Sequence, residues 1–127
     1  MSQRDATPNH DTRLLLLNAA WRAALGLYHC DDRPDGDPGD ARRRFLRRKP
    51  CHLLAPSECE AAWHLAVGIV QASHSFRRSR CGTLPPRASR RYELHHALAL
   101  QLETDFPEAT PLLVARGCQL LKSYWDR

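Results

Sequence analysis

Four times along this chain, apolar residues recur at intervals of three and four, a spacing that lines up one face of an α-helix. The first run is Leu14, Leu17, Trp21, Ala24, Leu25 and Tyr28. Leu15 and Leu16 widen it, so that helix is expected to be buried on more than half its circumference. The second run is Ala62, Leu65, Ala66, Ile69, Ala72 and Phe76, extended by Trp63 and Val70. The third is Tyr92, His95, Leu98, Ala99 and Leu102, and the fourth Leu113, Gly117, Leu120, Leu121 and Tyr124. Valine and isoleucine number only three and one, which leaves little material for a sheet. The pattern predicts an all-α protein with less than about a tenth strand.

Helix punctuation sharpens these boundaries. Thr7-Pro8 reads as an N-cap followed by a first-turn proline, with Asp11 or Thr12 as alternative caps, and Gly26 loosens the last turn. Ser57-Glu58-Cys59-Glu60 has the form of a capping box and predicts a helix from Glu58 to Phe76. The next helix is expected from Ala88 to Thr104, capped by Ser89, after a loop at 81–87 stiffened by Pro85-Pro86. Thr110-Pro111 then starts a helix to Trp125, in which Gly117 admits a close neighbour. Residues 31–40, DDRPDGDPGD, read as a solvated acidic loop, since two prolines and two glycines break any helix there. Asp40 is expected to cap a short basic helix from Arg42 to Lys49, anchored by Phe45 and Leu46 and ended by Pro50. With residues 1–6 as a loose tail, the 127 residues predict one domain. Its expected form is a compact antiparallel bundle of four long helices plus one short basic helix.

Several chemistries lack their motifs. Five cysteines without a tight pair, a polar N-terminus and no run of roughly 18 apolar residues predict a cytoplasmic chain with free thiols and no membrane partner. His29-Cys30 and Cys51-His52, with Cys59 near them, lack the Cys-x(2–4)-Cys or His-x(3–5)-His pairs of structural zinc sites. Cys59 and Cys118 read instead as small buried hydrophobes, and no metal or cofactor is expected. Asp31, Asp35 and Asp37 share only composition with a calcium loop. His64 and His74 lie about 80° apart around their helix and are expected to be partly buried and exposed, respectively. Neither a Gly-rich phosphate loop nor a Gly-x-Ser-x-Gly elbow occurs.

Charge is more informative. Residues 41–91 hold twelve of the nineteen basic side chains against two acids, Glu58 and Glu60. Arg77, Arg78 and Arg80 end one predicted helix, and Arg87, Arg90 and Arg91 begin the next. A short connection brings those six to one pole as a phosphate-binding surface. Arg42, Arg43, Arg44, Arg47, Arg48 and Lys49 form a second, separable arm. No helix-turn-helix accompanies them, so backbone contact to RNA or DNA is expected without sequence reading. The expected function is a non-catalytic subunit that binds nucleic acid, joins a larger nucleoprotein complex or self-associates. It is similar to the small subunits of CRISPR effector complexes in size and character only. Arg90-x4-His95 and Arg91-x4-His96 also resemble the Arg-x(4–6)-His signature of the HEPN superfamily, helical bundles that include metal-independent ribonucleases. The resemblance covers residues 90–96, and Arg91 or Tyr92 stands where that family carries a polar residue after the Arg. It implies, as an alternative, a ribonuclease whose His and Arg act on the scissile phosphate across a dimer interface. A pure protein-interaction module is the third reading.

Overall fold

The computed structural model describes residues 10–27, 36–80 and 87–125. Among them are six helices and no strand: α1 (His10–Leu27), α2 (Pro38–Leu46), α3 (Lys49–His52), α4 (Pro56–Arg80), α5 (Ala88–Asp105) and α6 (Pro111–Trp125). The all-α class read from the sequence is the class observed. The chain divides into two compact units, Met1–Val67 and Gly68–Arg127, and the division falls inside α4.

In the first unit, α1 packs on α2 and α3. Its buried side is Leu16, Leu17, Ala20, Trp21, Ala24 and Leu27. Leu14 and Leu25 are half-buried and Leu15 is exposed, so the stripe is narrower than the leucine run suggested. Helix α2 starts earlier than expected. Asp37, not Asp40, is its N-cap, and the Asp37 carboxylate accepts the Gly39 N–H at 2.9 Å, with Pro38 in the first turn. Phe45 is fully buried as anticipated, Ala41 is buried beside it, and Leu46 is only half-buried.

Pro50 does not end a helix but sits in the first turn of α3, where its missing N–H costs nothing. The thiol of Cys51 donates to the Phe45 carbonyl at 3.4 Å, and that of Cys59 donates to the Cys51 carbonyl at 3.6 Å. These weak bonds fasten α3 between α2 and the start of α4. The capping box at Ser57 is not formed, because α4 begins at Pro56 and the Ala55 carbonyl takes the first N–H groups, from Glu58 and Cys59.

In the second unit, α5 and α6 form an antiparallel pair joined by residues 106–110. Thr110 caps α6 as expected, its hydroxyl accepting the Leu113 N–H at 3.4 Å. Leu94, Leu98 and Leu102, four residues apart, make the buried edge of α5, with His95 and Ala99 half-buried. Tyr92, expected on that inner face, is 78% exposed. Leu94 takes the core position instead, while Leu98 and Leu102 are buried as expected.

Gly117 of α6 fulfils its expected role. A Cβ there would lie 2.7 Å from Leu102 Cδ1, 3.0 Å from Ser73 Oγ and 3.1 Å from Ile69 Cγ2, so α4, α5 and α6 converge on it. Ser73, though polar, is buried at that point because its hydroxyl donates to the Ile69 carbonyl at 2.8 Å. Expectations for residues 1–9, 28–35 and 81–86 fall outside the described residues. They include the Thr7-Pro8 cap, Tyr28, the His29-Cys30 pair, most of the acidic loop and Pro85-Pro86. The same holds for the side chains of Ser89 and Tyr124.

Candidate nucleic-acid interface

The short basic segment sorts its cations by helical position. Ala41 and Phe45 face inward, which turns Arg43, Arg44, Arg47 and Arg48 outward. Arg42 lies at the margin, and its guanidinium grips Glu60 of α4 in a two-pronged ion pair, Nε to Oε2 at 2.9 Å and Nη2 to Oε1. Arg43 pairs with Asp40 one turn back along its own helix. Arg44, Arg47, Arg48 and Lys49 are exposed, and among the described residues no carboxylate pairs with them. The predicted arm therefore reduces to four open cations, with two others already engaged.

Arg22 of α1 joins them, and the sequence reading missed it. It lines a pocket of about 220 Å³ together with Arg44 and Arg48, against Ala23, Gly26 and Phe45. Arg22 and Arg48 also line a second groove of about 360 Å³ with Asn18, Lys49 and Pro50. An arginine set within the leucine- and alanine-rich stretch that follows Arg13 was the available signal.

The second unit carries the other set. Arg78 and Arg80 are exposed in the last turn of α4, where cations are favoured by the helix dipole. The Arg80 guanidinium lies 5.3 Å from the centre of the Phe76 ring. Arg77 is a correction to the predicted surface, being only 8% exposed. It follows Val70 and Ser73 at helical spacing, so it continues the buried face of α4, which runs on to Arg80 instead of stopping at Phe76. Arg77, Arg78 and Arg91 each interact with another group of the protein, and Arg90 pairs with Glu93 at 3.0 Å.

The start of α5 is electrostatically unusual. Arg87 is its N-cap and makes no side-chain cap bond, and no acidic residue occupies the first turn. The first-turn backbone N–H groups and the arginines there add fields of one sign, a combination that disfavours the isolated helix end and favours an anion beside it.

The histidines are dispersed. His95 is half-buried against α6, its carbonyl accepting the Cys118 thiol at 3.8 Å, while His96 is exposed. Arg90 and His95 lie about 140° apart around α5, as do Arg91 and His96. His64 is exposed, 3.6 Å from Glu60, and His74 is 7% exposed, the reverse of the expected order, because His74 shares the face of Val70 and Arg77. Among the described residues no three His, Cys, Asp or Glu side chains cluster as metal ligands. Burial, then hydrogen bonding to Cys59, pushes the Cys51 thiol up to about 12, and burial also raises Cys118.

No described helix is long and apolar enough to cross a membrane. No family model, no curated protein and no solved structure matches the chain.

Proposed function

We propose that this protein is a non-catalytic basic subunit that binds the phosphate backbone of nucleic acid and assembles with other subunits. The observation that carries this reading is the set Arg22, Arg44, Arg47, Arg48 and Lys49. These cations are exposed, adjoin one another on α1–α3, and have no carboxylate partner among the described residues. A solvated surface usually interleaves both signs, whereas a run of unpaired guanidinium groups concentrates positive potential and suits phosphate geometry. The arginines and first-turn N–H groups at the start of α5 supply a second region of the same sign. Neither region is a polar helix presented end-on to a groove, so the contacts position a strand without reading its bases.

Assembly is supported by apolar side chains left in solvent. Tyr92 and Leu100, one turn either side of the exposed His96, form a stripe along the outer face of α5. A tyrosine and a leucine on one exposed helical stripe suit a protein partner better than water.

Fluorescence anisotropy with labelled single- and double-stranded RNA and DNA, in chelator, tests the proposal. The expected result is salt-dependent binding of unrelated sequences with no cleavage. Cleavage lost in His95→Ala or His96→Ala would replace the subunit with a metal-independent ribonuclease. Absence of both binding and cleavage would leave a protein-interaction module.

A further inference from the structure

We infer that the pocket between α1 and α2 seats a terminal phosphomonoester of a nucleic-acid strand. The inference rests on the proposed nucleic-acid binding and names the group that enters this site.

The pocket exists because small residues face each other across the two helices. Ala23 and Gly26 on α1 and Ala41 on α2 leave room that larger side chains would fill, and Leu27 and Phe45 complete its apolar wall. Space is open at Gly26 in particular, where an added Cβ meets nothing within 4 Å. Three arginines line this concavity of about 220 Å³, Arg22 from α1 and Arg44 and Arg48 from α2 and the turn after it. Among the described residues, no Asp, Glu or His lines it. Three arginines around a recess with no negative group among the described residues suit an anion, and the planar fork matches phosphate oxygens two at a time.

The kind of phosphate follows from shape and charge. A phosphodiester within a strand carries one negative charge and is flanked by sugar on both sides, so it meets the rim of a recess and not its floor. A terminal monoester is attached on one side only, projects from the strand end, and offers three oxygens with a charge of about −1.5 to −2 at pH 7. It can enter and accept from all three arginines. The exposed cations next in sequence that do not line this pocket, Arg47 and Lys49, remain for the following backbone phosphates.

The test compares strands of one sequence ending in 5′-phosphate, 3′-phosphate or hydroxyl groups, measured against the full-length protein, Arg22→Ala and Gly26→Leu. Arg22→Ala removes a cation, whereas Gly26→Leu fills the recess and keeps every charge. The native protein is expected to prefer one phosphorylated end by about tenfold or more. Both substitutions should bring that ratio close to one. A preference that survives Gly26→Leu in a folded protein overturns the pocket and leaves a diffuse field. Equal affinity for all three strands by the native protein overturns the inference while the proposed function stands. No binding to any strand overturns both. A second readout needs no variant: the second ionisation of a phosphomonoester falls near pH 6, so the preference should grow from about pH 5 to 7.5. A preference that is flat across that range overturns the monoester. Inorganic phosphate as competitor separates the sources, since a strand end should be displaced only at a large excess of the free anion.

Discussion

The guanidinium of Arg42 and the carboxylate of Glu60 meet in a two-pronged ion pair that ties α2 to α4. This pair divides the arginines of the basic segment into those that hold the protein together and those that face outward. A fork held by a carboxylate has its charge neutralised and its paired donors engaged, which makes it a poor partner for a phosphate. Arg42→Ala is therefore expected to lower unfolding free energy by about 1 kcal/mol, the upper range for a partly exposed pair. The salt dependence of nucleic-acid binding should be unaltered by the same change. Arg42→Lys should not restore the stability, because an ammonium cannot make both bonds. Urea titrations and a binding series at several salt concentrations check the two halves, and a changed salt slope would return Arg42 to the binding surface.

The ring of Phe45 stacks on Trp63 at 5.8 Å between centres and 26° between planes. It is the fully buried anchor of a helix whose remaining large side chains are mostly charged. Phe45→Ala should cost about 3–5 kcal/mol, combining lost burial with the cavity left against Trp63. Near-ultraviolet circular dichroism should report the change in the tryptophan environment. Loss of less than about 1 kcal/mol would mean that the short helix is not held by this stack.

Two glycines make opposite predictions. At Gly26 a Cβ meets open space, so Gly26→Ala should stabilise the protein by up to about 1 kcal/mol through helix propensity alone. At Gly117 a Cβ would press on Leu102, Ser73 and Ile69 together, and Ile69 is branched and fully buried. Gly117→Ala should destabilise by about 1–3 kcal/mol despite the better propensity. Chemical denaturation midpoints that move in the same direction for both variants would contradict this account of α6.

The buried thiols set an alkaline limit. Cys51 ionises near 9.0 when unfolded and near 12 when folded, owing first to burial and then to Cys59. The folded state holds its proton more tightly, so this contribution is complete below pH 9 and is lost as pH rises toward 12. The unfolding free energy of the native protein should therefore fall more steeply with pH above 9 than that of Cys51→Ala. Parallel pH profiles would show that the thiol is not sequestered. In a Cys30→Ser, Cys81→Ser background, alkylation at pH 8 should be slow until denaturant is added, since Cys51, Cys59 and Cys118 are all buried.

Much of the architecture was legible because apolar spacing on long helices is a strong signal. α6 and the course of α4 and α5 follow from it, and Gly117 could be singled out as a close-approach position before its neighbours were known. What failed was local. Asp40 and Ser57 are acceptable caps, but Asp37 with Pro38, and Ala55 with Pro56, start each helix on a proline three and two residues earlier. Tyr92 and Leu94 compete for the core of α5, and tertiary packing chooses the leucine. On the candidate site, clustering of arginines was visible, but which of them are engaged depends on Asp40 and Glu93 one turn away and on Glu60 of another helix. Arg77 looked like part of a terminal basic run, and the helix continues far enough to bury it. Arg22 belongs to the site only because α1 lies beside α2, which spacing along one helix does not reveal.

The sorted cations predict an asymmetry between the two arginine sets. If four to six phosphates are contacted, the log–log slope of duplex affinity against salt should be about −4 to −5. Replacing Arg44, Arg47 and Arg48 by Ala removes three cations that have no carboxylate partner among the described residues, and should make that slope shallower by roughly three. Replacing Arg78, Arg87 and Arg91 should change it less, by roughly one, because Arg78 and Arg91 already interact within the protein. Affinity for unrelated sequences should fall alike in each case, as expected for backbone contacts. The three first-unit residues are exposed, so stability should move by less than about 0.5 kcal/mol apiece. A folded Arg44, Arg47, Arg48 triple variant with an unchanged slope would remove nucleic acid as the ligand of this surface. A slope that depends mainly on Arg78, Arg87 and Arg91 would move the interface to the start of α5.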